Sequence, residues 1–88
     1  MEFQITSCTV LDERGRPRRY HYFLLADRVE TEGLCCENYG VAVREENGEQ
    51  ARVPGITASA GRIDQLISLL AEHKVGPATL RDVVEDWL

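Results

Sequence analysis

Up to Thr57 the chain alternates apolar and polar residues in short runs, interrupted three times by a loop that ends in glycine. These loops are Glu13-Arg14-Gly15, Thr31-Glu32-Gly33 and Glu46-Asn47-Gly48. Alternation with period two is the pattern of a half-buried strand. Glycine at the third position of a three-residue hairpin loop supplies the left-handed conformation that the turn requires. After Ser59, a plausible helix N-cap, the spacing changes: Ile63, Leu66, Ile67 and Leu70 recur at helical intervals, as do Leu80, Val83, Val84, Trp87 and Leu88. Lys74-Val75-Gly76-Pro77 separates the two stripes, with glycine suited to ending a helix and proline to starting the next. The pattern predicts an α+β fold in one domain spanning residues 1–88. An antiparallel four-stranded meander in the order 1-2-3-4 occupies about residues 2–56, and two helices over about 59–88 pack on one of its faces.

Loop length decides which side chains share a face, because a one-residue slip turns a whole strand over. A two-residue turn at Asn47-Gly48 would pair Val43 with Arg52, whereas a three-residue loop pairs Val43 with Ala51 and Val41 with Val53. The three-residue choice keeps apolar residues together. The same choice at Gly15 sets Phe3 opposite Leu25, Ile5 opposite Phe23 and Ser7 opposite His21. At Gly33 it sets Leu25 opposite Tyr39, Phe23 opposite Val41 and His21 opposite Val43. The face expected under the helices is therefore Phe3, Ile5, Phe23, Leu25, Tyr39, Val41, Val43, Ala51 and Val53. The open face carries Tyr20, Tyr22, Leu24 and Ala26, flanked by Thr6, Cys8, Gly40 and Ala42. An apolar, tyrosine-bearing face on a small protein marks a contact surface. Its candidate residues are Tyr20, Tyr22, Leu24, Cys8 and Ala42, and its expected partner is another protein or a second copy.

Charge and composition narrow the alternatives. Eighty-eight residues suffice for one modest core, and a net charge of −5 disfavours nucleic acid and anionic membrane. The longest apolar run, Tyr22 to Ala26, is too short to span a bilayer, and the first residues lack the marks of a signal peptide. A cytoplasmic location is expected. Three cysteines without CxxC spacing fit a reducing compartment. In the predicted register Cys8 and Cys36 lie on the open face while His21 and Cys35 lie on the covered one, so the soft ligands do not converge and no metal or other cofactor is expected. Cys8 and Cys36 are also too far apart along the sheet for a disulfide.

Three further groups invite chemistry. His21, beside Ser7, reads as a hydrogen-bonded histidine beneath the helices, where no substrate could enter. Asp27 and Glu37 face each other across strands 2 and 3; such a carboxylate pair is what an enzyme or ligand-binding reading would rest on. Arg14, Arg16, Arg18 and Arg19 place four of the ten basic residues on the first hairpin tip. They suit an anion, an acidic partner or, third in order, nucleic acid. The leading expectation is non-enzymatic: an interaction or self-associating regulatory module.

The tail from Val75 to Leu88 (VGPATLRDVVEDWL), together with Tyr39-Gly40-Val41, resembles a family of small uncharacterised proteins of Firmicute bacteria classed as a domain of unknown function. The resemblance implies a cytoplasmic bacterial protein and carries no catalytic residues with it. Physically the motif is a turn, a cap and a core stripe.

Overall fold

The computed structural model describes residues 1–46 and 48–88, Thr31 through its backbone alone. Four strands, β1 (Glu2–Leu11), β2 (Pro17–Thr31), β3 (Leu34–Glu45) and β4 (Gln50–Thr57), form an antiparallel sheet in the order 1-2-3-4. Helices α1 (Ala60–Glu72) and α2 (Leu80–Trp87) follow. The fold is α+β, as the alternation and its change of period predict.

Two of the three hairpins adopt the predicted register. At the first, the Gly15 N–H donates to the Asp12 carbonyl at 2.9 Å, the Asp12 N–H donates to the Arg16 carbonyl at 2.9 Å, and Gly15 takes φ 74°. This is a type I turn closed by a left-handed glycine. The Asp12 carboxylate accepts the Arg14 and Arg16 N–H groups at 2.9 and 2.8 Å and fastens the turn from within. Ser7 lies opposite His21 as expected, until a bulge between Gln4 and Thr6 shifts the ladder and brings Phe3 to Leu24. The third loop, predicted as Glu46-Asn47-Gly48, includes Asn47, which lies outside the described residues; the flanking pairs Val43–Ala51 and Val41–Val53 are those predicted.

The middle hairpin differs. Thr31 pairs directly with Leu34, and Glu32 and Gly33 both adopt positive φ, 50° and 80°, as in a two-residue type I′ turn. Leu25 therefore meets Gly40, Leu24 meets Val41 and Tyr22 meets Val43. The slip of one residue turns β2 over relative to β3. Tyr22 and Leu24, predicted on the open face, lie under the helices; Phe23 and Leu25, predicted in the core, lie on the other side.

The core beneath the helices joins Tyr22, Val41 and Val43 to Ile63, Leu66, Ile67 and Leu70 of α1, to Val75, and to Leu80 and Val84 of α2. Ser59 caps α1, its Oγ accepting the Arg62 N–H at 3.3 Å. At the other end the Val75 N–H reaches the Leu70 carbonyl at 2.9 Å and the Lys74 N–H the Ala71 carbonyl at 3.2 Å, with Lys74 at φ 52°. This is a Schellman cap in which lysine, not the expected glycine, takes the left-handed position. Gly76 has a different reason to be glycine: a Cβ there would stand 3.0 Å from the Tyr20 hydroxyl. The Tyr22 hydroxyl, 0% exposed with its ring, donates to the Val75 carbonyl at 2.8 Å, and Cys8 Sγ lies 3.4 Å from the Tyr22 hydroxyl oxygen. Two neighbouring tyrosines of β2 thus hold the interhelical turn against the sheet. The Arg62 guanidinium, 4.6 Å from the Trp87 ring, ties α1 to α2 above.

On the opposite face Phe23, Leu25 and Ala42 form a second, smaller apolar cluster. The Arg44 guanidinium lies 4.7 Å from the Phe23 ring and 3.2 Å from Glu2, whose other oxygen is 3.9 Å from Arg52. Half-exposed ion pairs of this kind add little stability in themselves; their aliphatic stems cover the apolar cluster. Past Ala26 and Tyr39 neither edge strand continues alongside, so Asp27–Asn38 projects as a two-stranded ribbon from a molecule measuring 54 × 24 × 17 Å.

Removing the Tyr22 hydroxyl leaves the Val75 carbonyl without its donor. Tyr22→Phe is expected to lower the unfolding free energy by about 1–2 kcal/mol in urea titrations. Burial, then the contact with Cys8, raises the Tyr22 pKa. The folded phenol thus keeps its proton where an unfolded tyrosine loses it, near pH 10. Its contribution is complete below that pH and declines as pH rises, so Tyr22→Phe should flatten the alkaline loss of stability. Gly40→Ala would place a Cβ 2.4 Å from the Val53 carbonyl oxygen and 2.6 Å from the Pro54 Cα, both backbone atoms. A loss of about 2–3 kcal/mol is expected in the same titration.

Candidate interaction surface

Helix α1 does not cover the whole of its face of the sheet. The bulge in β1 keeps both Phe3 and Ile5 on the helix-bearing side, where they remain 45% and 48% exposed. Two depressions of about 450 and 440 Å³ adjoin there and share Leu24 and Tyr39. One runs toward Met1, Phe3 and Ala26 at the root of the ribbon; the other runs under Ile5 to Ile63 and Ile67 of α1. Together they make an apolar strip beside the β1 edge, with Asp27, Arg28, Glu37 and Asp64 among its lining residues. The Tyr39 hydroxyl donates to Glu37 at 2.5 Å, and that bond raises the Tyr39 pKa.

The residues first selected from the sequence are distributed otherwise. Tyr20, Tyr22, Leu24 and Cys8 are not on an open face: all four are part of, or packed against, the core beneath the helices. Ala42 alone lies on the helix-free face expected for it, buried there with Phe23 and Leu25. The two-residue turn at Glu32-Gly33 is the physical cause of the other four displacements, because it turns β2 over relative to β3. Asp27 and Glu37 do not face each other, since Asp27 pairs with Asn38 and Glu37 with Arg28, at successive positions whose side chains leave opposite faces. His21 lies opposite Ser7 but away from the helices, its Nδ1 3.1 Å from Gln4 Nε2.

Three of the four arginines of the first hairpin, Arg14, Arg16 and Arg18, line one depression together with Asp12 and Glu13. Arg18 lies 2.9 Å from Glu45 and 3.6 Å from Asp12, while Arg19, one position on, leaves the opposite face of β2. The Arg16 N–H, more than any other group, holds the Asp12 carboxyl below the usual carboxylate range, with Arg14 and Arg18 adding to it. Cys35 and Cys36 sit on the ribbon, on opposite faces and far from Cys8, with Cys36 opposite Val29. Among the described residues, no group of three or more His, Cys, Asp or Glu side chains is placed to hold a metal ion, and no helix is long and apolar enough to cross a membrane.

Phe3 and Ile5 were legible as apolar but not as surface. Their exposure depends on where α1 begins relative to the end of β1, which periodicity does not specify. The different environments of the thiols are open to direct test. Under native conditions Cys35 and Cys36 should react rapidly with an alkylating reagent and Cys8 slowly, giving a doubly labelled species first by intact-mass spectrometry. Equal rates for all three would contradict the packing of Cys8 against Tyr22.

No curated protein and no solved structure matches the chain. A family model does, over residues 1–88, and the family it describes is one of unknown function, DUF6514. With every position from Met1 to Leu88 inside that match, the chain belongs to this family.

Proposed function

We propose that the chain is a non-enzymatic protein-interaction module that docks through the strip formed by Phe3, Ile5, Leu24 and Tyr39. The observation that carries this reading is the near half-exposure of Phe3 and Ile5 on the same side as the core, contiguous with partly buried Leu24 and Tyr39. Single exposed apolar residues need no explanation. A continuous apolar trough with charged groups beside it is the usual make-up of a contact surface. The strip takes the place of the tyrosine face expected from the sequence, which is occupied by the protein's own helices.

The rival readings draw less support from the geometry. An enzyme would need an acid and a base in reach of one another; Asp27 and Glu37 both line the depression at the root of the ribbon, but from successive ladder positions whose side chains leave opposite faces. A nucleic-acid surface would draw on free cations sharing one face; Arg14, Arg16 and Arg18 share a depression with Asp12 and Glu13, Arg18 is engaged by two carboxylates, and Arg19 leaves the opposite face.

Ile5→Asp places a charge in the strip at a site with room to hydrate it. The fold should persist by circular dichroism, and any complex formed through the strip should weaken by about tenfold or more, equivalent to about 1.4 kcal/mol. Sedimentation velocity reads this for self-association and calorimetric titration for a heterologous partner. Affinity unchanged by Ile5→Asp would remove the strip as the contact surface.

A further inference from the structure

The two edges of the sheet are built differently. β4 carries Arg52, Pro54 and a left-handed Gly55 at φ 66°, and its ladder is interrupted opposite Tyr39 to Val41. Charge, proline and bulge are the devices that keep an edge from recruiting another strand. β1 is unguarded by comparison. From Phe3 to Leu11 no residue is charged, and none is proline or glycine; beyond the bulge the ladder runs without interruption from Thr6 to Leu11.

The outward backbone groups of that edge follow from the turn. The Asp12 N–H bonds the Arg16 carbonyl. Leu11 and Pro17 are then a non-hydrogen-bonded pair, in keeping with the missing N–H of proline. By the alternation of an antiparallel ladder, Ser7, Thr9 and Leu11 direct both N–H and C=O away from β2.

We propose that β1 pairs antiparallel with β1 of a second copy across a two-fold axis at Thr9, joining two four-stranded sheets into one. This inference goes beyond the strip: it names a second copy of the chain as the partner of the β1 edge. A strand paired antiparallel with itself is self-complementary by symmetry. About this axis Ser7 meets Leu11 and Thr9 meets Thr9, while Cys8 meets Val10 on the helix-bearing side. Apposed threonines are a favourable cross-strand pair. Two chains of net charge −5 repel, and this seam is where neither contributes a charge. Leu11, largely exposed in a single chain, gains a neighbour.

Thr9 is the residue to change, because its N–H serves only the outer edge. Thr9→Pro removes that donor without removing a bond to β2, and Thr9→Lys sets two like charges face to face at the axis. Sedimentation velocity of the full chain at about 0.2 mM, far above the Kd of a stable interface, should show a dimer for the wild type. Both variants should sediment as monomers with unchanged circular dichroism. A wild-type monomer at this concentration overturns the proposal, whatever Ile5→Asp does to binding of another protein. A dimer that survives both Thr9 variants but dissociates in Ile5→Asp also overturns it, and leaves the apolar strip as the interface. A dimer that dissociates in Thr9→Lys and tolerates Ile5→Asp supports the strand seam and leaves the strip free for another protein.

Discussion

The bond from the Tyr22 hydroxyl to the Val75 carbonyl is the constraint on which the arrangement of the layers depends. It links the middle of the second strand to the turn between the helices, elements far apart in the chain, and it is buried on both sides. A hydroxyl in that position must have an acceptor, and a carbonyl leaving a helix end must have a donor. Each satisfies the other only if Tyr22 points toward the helices. That orientation aligns Leu24 with Val41, directs Tyr20 onto Gly76, and sends Phe23 and Leu25 to the far face. A strand turned the other way would set Phe23 beneath the turn, with no group to meet the Val75 carbonyl.

This is also where the sequence stops being sufficient. The outer hairpins are legible because each pairs a strand of clear alternation with a loop of definite type: Val41 and Val43 can only keep company with Ala51 and Val53 if the loop has three residues. β2 offers no such contrast. Tyr20, Tyr22 and Leu24 alternate with His21, Phe23 and Leu25, and both sets are apolar enough to be buried. Register is weakly specified when both faces of a strand would serve. A left-handed glutamate at position 32 is conformationally unfavourable, and reading Gly33 as the last residue of a longer loop avoids it. In the fold that local cost is outweighed by a type I′ twist that suits the strands and by the tyrosine bond far from the turn.

The candidate surface was legible in its materials and not in its geometry. The apolar character of Phe3 and Ile5 is plain in the sequence, and the bulge after Gln4 places them on the side expected for them, by a route that periodicity does not reveal. Their exposure is a matter of coverage, set by how far a helix of this length extends along a longer strand. The difference between the edges, by contrast, is available from composition once the strand order is known: Pro54 and Arg52 on one side, an uncharged run on the other. The Asp27–Glu37 and tyrosine-face readings were both consequences of the same one-residue error, and they disappear together.

Among the described residues, none forms a third strand beside the ribbon of Asp27–Asn38 and none of the core clusters extends over it. A hairpin with such sparse support is marginal in water, so its opening need not await that of the sheet beneath the helices. On this architecture the molecule is expected to behave as two thermodynamic parts joined by continuous strands, the amides of the body exchanging with solvent through cooperative opening and those of the arm through local opening. Outside the Glu32-Gly33 turn that sets the register, change at exposed positions of the arm such as Cys35 and Cys36 is expected to leave the stability of the body nearly unaltered.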